Sequence, residues 1–127
     1  MKAHVLIVDD EPLVLRVFSL LLRALGHEVT AVSSGFEALA ALDRDSYDVV
    51  CLDQRMPGLT GVETWKRICA CDRPTPVSML VTAAADGADL AEAHGMLFLS
   101  KPFDLTALSA KLDEALARRS ASAPSPR

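Results

Sequence analysis

Five residues carry the chemistry this sequence could perform. Asp9 and Asp10 stand together after one short apolar run, Asp53 ends another, Thr82 ends a third, and Lys101 follows the last. Three carboxylates gathered within a few ångströms would repel one another, and one or more would take up a proton unless a cation joined them. A hard divalent ion with oxygen ligands solves this. Mg²⁺ fits best, with Mn²⁺ as the alternative, because Mg²⁺ binds through one or two carboxylates and keeps waters that a phosphate can displace. Lys101 adds a fixed positive charge and Thr82 a hydroxyl donor. An acceptor carboxylate, a metal and two donors are what phosphoryl transfer asks of a protein, since positioning and charge neutralisation do most of the work. Taken singly, each residue has a plainer reading: Asp9-Asp10 as a helix cap, Asp53 as a turn aspartate, Thr82 as a strand end, Lys101 as a solvated loop lysine. Their coincidence at successive strand ends is what gives them meaning.

The elements that must hold these residues follow from the hydrophobic pattern. Apolar runs at Ala3–Val8, Asp48–Leu52, Val77–Val81 and Met96–Leu99 are continuous rather than alternating, the mark of strands buried on both faces, and Glu28–Val32 is a further short strand. Between them lie helical periodicities. Leu13–Leu25 follows Pro12 and is closed by Gly26; Ser34 and Glu37 have capping-box spacing, as do Thr60 and Glu63. An alanine-rich stretch near Gly87–His94 reads as a short helix. The last helix starts near Asp104 and carries the stripe Leu105, Leu108, Leu112 and Leu116. Strand–helix alternation with right-handed crossovers gives an α/β fold of five βα units, a doubly wound parallel sheet whose site lies at the carboxyl ends of the strands.

Composition narrows the function. Thirteen Lys+Arg against seventeen Asp+Glu leave a net charge of −4, which disfavours direct nucleic-acid binding. No apolar run approaches the ~20 residues of a membrane span, so no membrane partner is expected. The N-terminus has no signal-peptide pattern and the three cysteines suit reduced thiols, so a cytoplasmic location is expected. G-x-G-x-x-G and P-loop motifs are missing, and Asp9-Asp10-Glu11-Pro12 would repel the phosphate of a flavin.

Four strings carry a resemblance: Val8-Asp9-Asp10-Glu11-Pro12, Leu52-Asp53-Gln54-Arg55-Met56-Pro57-Gly58-Leu59-Thr60-Gly61, Val81-Thr82-Ala83 and Phe98-Leu99-Ser100-Lys101-Pro102-Phe103. Together they resemble the receiver domain of two-component response regulators. The resemblance implies a flavodoxin-like strand order 2-1-3-4-5 and a receiver domain over residues 1–118, while the Ser/Ala/Pro-rich residues 119–127 read as a disordered tail. It implies that Asp53 accepts phosphate from a phosphohistidine of a sensor histidine kinase or histidine phosphotransfer protein. Asp9, Asp10, Asp53 and the backbone carbonyl of Arg55 would hold the metal. Thr82 and Lys101 would contact the phosphoryl group, Thr82 and Phe98 would form a switch, and the Lys101-Pro102 bond would be cis. The expected product is a self-phosphorylating and self-dephosphorylating switch rather than a turnover enzyme, a monomer or weak homodimer acting on an unidentified downstream protein. The alternative is a phosphorylation-independent adaptor with a vestigial site. Two features depart from the family pattern. The interval from Thr82 to Lys101 is about three residues short, nearly one helical turn, so the fourth helix should be shortened. Phe98 also lacks the hydroxyl of the tyrosine found there in many relatives. Arg55 and Ala84 are expected to flank the phosphoryl group, and Leu13–Val17 to border the docking surface of the kinase.

Overall fold

The central strands are built from residues that bury both faces. In the computed structural model, which describes residues 2–122, β1 (His4–Val8), β2 (Glu28–Val32), β3 (Val49–Leu52), β4 (Val77–Thr82) and β5 (Leu97–Ser100) form one parallel sheet in the order β2-β1-β3-β4-β5. Alternate residues point to opposite faces. Val5, Ile7, Val49, Cys51, Met79, Val81, Leu97 and Leu99 join one core layer; Leu6, Val8, Val50, Leu52 and Leu80 join the other. The expected strand order and fold class are the ones observed.

Helices α1 (Pro12–Ala24) and α5 (Leu105–Ser122) cover the first layer; α2 (Gly35–Arg44), α3 (Gly61–Ala70) and α4 (Gly87–Ala93) cover the second. Pro12 occupies the first turn of α1, as its missing N–H predicts. Thr60 and Glu63 form a full capping box at α3. At α2 only half of the expected box is present. Ser34 Oγ accepts from Glu37 N, but the Glu37 carboxylate accepts from the backbone and hydroxyl of Ser33 instead, at 2.7 and 2.9 Å. Asp104 caps α5 by accepting from Ala107 N.

Several expectations are corrected. Helix α5 runs to Ser122, so residues 119–122 of the expected tail are helical; residues 123–127 lie outside the described residues. Leu105 is exposed, so the inward stripe of α5 is Leu108, Leu112 and Leu116. On α1, Phe18 and Leu22 are buried and Leu21 and Leu25 pack beside them. Leu13 and Val17, in the stretch expected to border a docking surface, face outward, and so does Leu20. Helix α4 has seven residues, as the short interval predicts.

Candidate functional site

Parallel register brings the strand ends to one edge. Val8 pairs with Leu52 and Thr82 with Ser100, so the residues that follow β1, β3 and β5 emerge beside the end of β4. Ladder bonds continue past the strands: Asp53 N donates to Val8 O, Asp9 N to Val32 O, and Lys101 N to Thr82 O. These bonds fix the backbone of three site residues before any side chain is considered.

Asp9 and Asp53 are buried and Asp10 is exposed, yet each offers an oxygen within 4.8 Å of the others. Lys101 Nζ donates to Asp9 Oδ2 at 2.5 Å and lies 3.5 Å from Asp53 Oδ2. Asp9 Oδ1 accepts from Glu11 N, and Asp53 Oδ1 from Gln54 N, both at 2.9 Å. Thr82 is buried, and its hydroxyl accepts from Ala84 N at 3.2 Å. All five residues singled out for chemistry therefore converge. The Lys101-Pro102 bond is cis, as expected.

The electrostatics follow from burial. Desolvation pushes the Asp53 carboxyl above its ordinary range. The Lys101 ammonium opposes this, the Asp9 charge adds to it, and the Thr82 hydroxyl and Gln54 amide oppose it. For Lys101, burial alone would lower the pKa. The Asp9 hydrogen bond and the charges of Asp53, Asp9 and Glu11 outweigh burial, and the net shift is upward. Lys101 therefore stays charged. Three acidic groups around one ammonium leave an excess of negative charge, and an all-oxygen donor set of this kind suits a hard divalent cation.

Arg55 is exposed beside the acceptor loop and, with Gln54, Met56, Pro57, Thr60 and Asp86, lines a shallow depression. Two supporting residues escaped the sequence reading. Gln54 Oε1 accepts from Val62 N at 2.9 Å while Gly61 N donates to Gln54 O, so Gln54 ties the acceptor loop to the start of α3. Gly61 packs directly against the Asp53 carbonyl, where a Cβ would collide. Neither role has a signal in one sequence, because both depend on which loop faces which helix. Leu13, Val14, Val17, Phe18, Lys101 and Phe103 line an apolar groove of about 370 Å³.

The fold, with its acidic cluster at the carboxyl ends of the strands, is that of a receiver domain. The chain belongs to the response regulator receiver domain family, whose model matches residues 5–113. It is 40% identical over 121 residues to the transcriptional regulatory protein TcrA of Mycobacterium tuberculosis, covering 91% of this chain and 46% of that one. It is 35% identical over 120 residues to the transcriptional regulatory protein YkoG of Bacillus subtilis, covering 91% and 51%. The chain thus spans about half the length of these curated relatives. Among solved structures, the receiver domain of the Pseudomonas aeruginosa sensor histidine kinase PA1611 has a magnesium ion coordinated in its active-site cleft. It superposes with a TM-score of 0.82 at 29% identity, over 92% of this chain and 99% of that one. The Thermotoga maritima response regulator TrrA, in complex with Mg²⁺ and BeF, gives 0.80 at 30% identity, over 91% and 99%. Receiver domains of this family are signalling switches. Among the described residues, no helix is long and apolar enough to cross a membrane.

Proposed function

We propose that Asp53 is the phospho-acceptor of a two-component phosphorelay. A carboxylate oxygen of Asp53 attacks phosphorus, an O–P bond forms, and the N–P bond of a donor phosphohistidine breaks. Its electron pair stays with the imidazole, which takes up a proton. The donor is a sensor histidine kinase or a histidine phosphotransfer protein, and the apolar groove beside Lys101 is where its helices would lie. Asp9, Asp10, Asp53 and the Arg55 carbonyl would hold Mg²⁺, which when bound neutralises phosphoryl oxygens. The observation that carries this reading is the Lys101 ammonium, set between Asp9 and Asp53 at 2.5 and 3.5 Å, where phosphoryl charge would arrive.

Thr82 supplies a hydroxyl donor at the same edge, drawn towards the new phosphoryl oxygens, and Phe98 follows it. That movement alters the face made by α4, β5 and α5, through which a downstream protein is recognised. Phosphate can drive the change only through contacts that differ between the two states. An adaptor with a vestigial site is disfavoured, because acceptor, lysine, threonine and acidic pair are all present and convergent.

The test is acid-labile phosphate incorporation from acetyl phosphate, with and without Mg²⁺, in wild type and Asp53→Asn. Labelling should need Mg²⁺ and vanish in the variant. Labelling without metal, or undiminished in Asp53→Asn, contradicts the assignment.

A further inference from the structure

Gly87 opens α4 and is buried. Its backbone is not in the left-handed region, which among the described glycines holds Gly26, Gly58 and Gly95. Conformation therefore does not call for glycine, and helix propensity ranks it below alanine. The surroundings do call for it. A Cβ at position 87 would stand 2.7 Å from Phe98 Cε1 and 2.7 Å from Thr82 Cγ2. The bare backbone of Gly87 is the surface against which the edge of the Phe98 ring and the Thr82 methyl both rest.

The placement follows from the sheet. Thr82 lies two residues beyond Leu80 on β4, and Leu80 pairs with Phe98 on β5, so both side chains rise from the same face. Asp86, the N-cap of α4, makes no side-chain capping bond, and Gly87 N closes a tight turn onto Ala84 O at 3.0 Å. Ala84 N in turn donates to the Thr82 hydroxyl. Thr82 and Gly87 are thus linked through the turn and lie close together in space.

We propose that Gly87 is a positioning residue for the Thr82–Phe98 pair. Its missing side chain leaves the Phe98 ring room to lie against Thr82, and to follow Thr82 when that residue is drawn towards a phosphorylated Asp53. A methyl group at position 87 holds the ring outward in either state. This rests on the reading of Asp53 as phospho-acceptor.

The test compares wild type, Gly87→Ala and Gly87→Ala/Phe98→Leu by NMR and thermal unfolding. Wild type should show a nuclear Overhauser contact between the Phe98 ring and the Thr82 γ-methyl. Gly87→Ala should lose it and unfold at a lower temperature. Adding Phe98→Leu, which removes the ring tip, should recover roughly half or more of that loss. After labelling with acetyl phosphate and Mg²⁺, the Phe98 ring resonances should move in wild type and stay in place in Gly87→Ala. A contact retained in Gly87→Ala, a midpoint loss left unrecovered by Phe98→Leu, or equal ring shifts on labelling overturns the proposal. If wild type takes no label, the reading of Asp53 fails instead, and the contact and midpoint comparisons still decide the role of Gly87.

Discussion

Lys101 and Asp9 lie 92 residues apart in the chain, yet the lysine ammonium stands 2.5 Å from Asp9 Oδ2. The same ammonium reaches Asp53 Oδ2 at 3.5 Å, so one cation balances two buried carboxylates. Removing it leaves both without a counter-charge, and stranded buried charges are costly. Lys101→Met should lower the stability of the metal-free protein by about 1–3 kcal/mol in urea unfolding. Millimolar Mg²⁺ should restore part of the loss. A variant as stable as wild type in EDTA would contradict this role.

Asp53 gives a prediction of opposite sign. Burial raises its folded pKa above the ordinary 3.8, so the folded state holds the proton more tightly than the unfolded chain does. Stability therefore falls as pH rises from 3.8 through the raised value, and at neutral pH the ionised carboxylate is a burden. Asp53→Asn removes the charge at nearly constant volume. It should be more stable than wild type at neutral pH in EDTA, with the gap narrowing when Mg²⁺ is added. The difference between the two stability–pH profiles checks both statements.

His27 titrates in the other sense. Burial lowers its pKa below 6.5, and its Nδ1 accepts from Ala3 N at 3.0 Å, a bond that only the unprotonated nitrogen can accept. The unfolded state then binds more protons through this window. The contribution is complete above 6.5 and lost as pH falls through the folded value. Between about pH 7.5 and 5.5, wild type should lose more stability than His27→Gln. Parallel profiles would exclude the histidine.

Helix α4 should be the least protected helix around the site. It has seven residues, and its N-cap supplies no side-chain bond. Near its end, Trp65 Nε1 donates to His94 O at a long 3.3 Å. Amide exchange over residues 83–91 should run faster than over the middle of α5, where Leu108, Leu112 and Ala115 are buried. Equal protection would refute this.

The site was legible because its residues sit at strand ends, and a parallel sheet brings strand ends together whatever the loops do. Asp9, Asp53, Thr82 and Lys101 needed only the strand boundaries. Gln54 and Gly61 were hidden because their roles are contacts between a loop and a helix. In sequence Gly87 only marks the start of a short alanine-rich helix, while the structure shows its close approach to Phe98 and Thr82. The outward leucines of α1 were equally illegible: Leu20 and Leu22 look alike in sequence, yet Leu22 is buried and Leu20 is 61% exposed. Helical phase decides which of them meets the sheet. The Ser and Ala residues near the C-terminus read as a tail, whereas α5 continues through them to Ser122.

The central claim is that one particular carboxylate carries the phosphoryl group. Borohydride reduces an aspartyl phosphate to homoserine, a change that peptide mass spectrometry locates to a single residue. After treatment with acetyl phosphate and Mg²⁺, homoserine should appear at position 53 and at neither Asp9 nor Asp10. Homoserine at either of those two positions, or at none, would contradict the account.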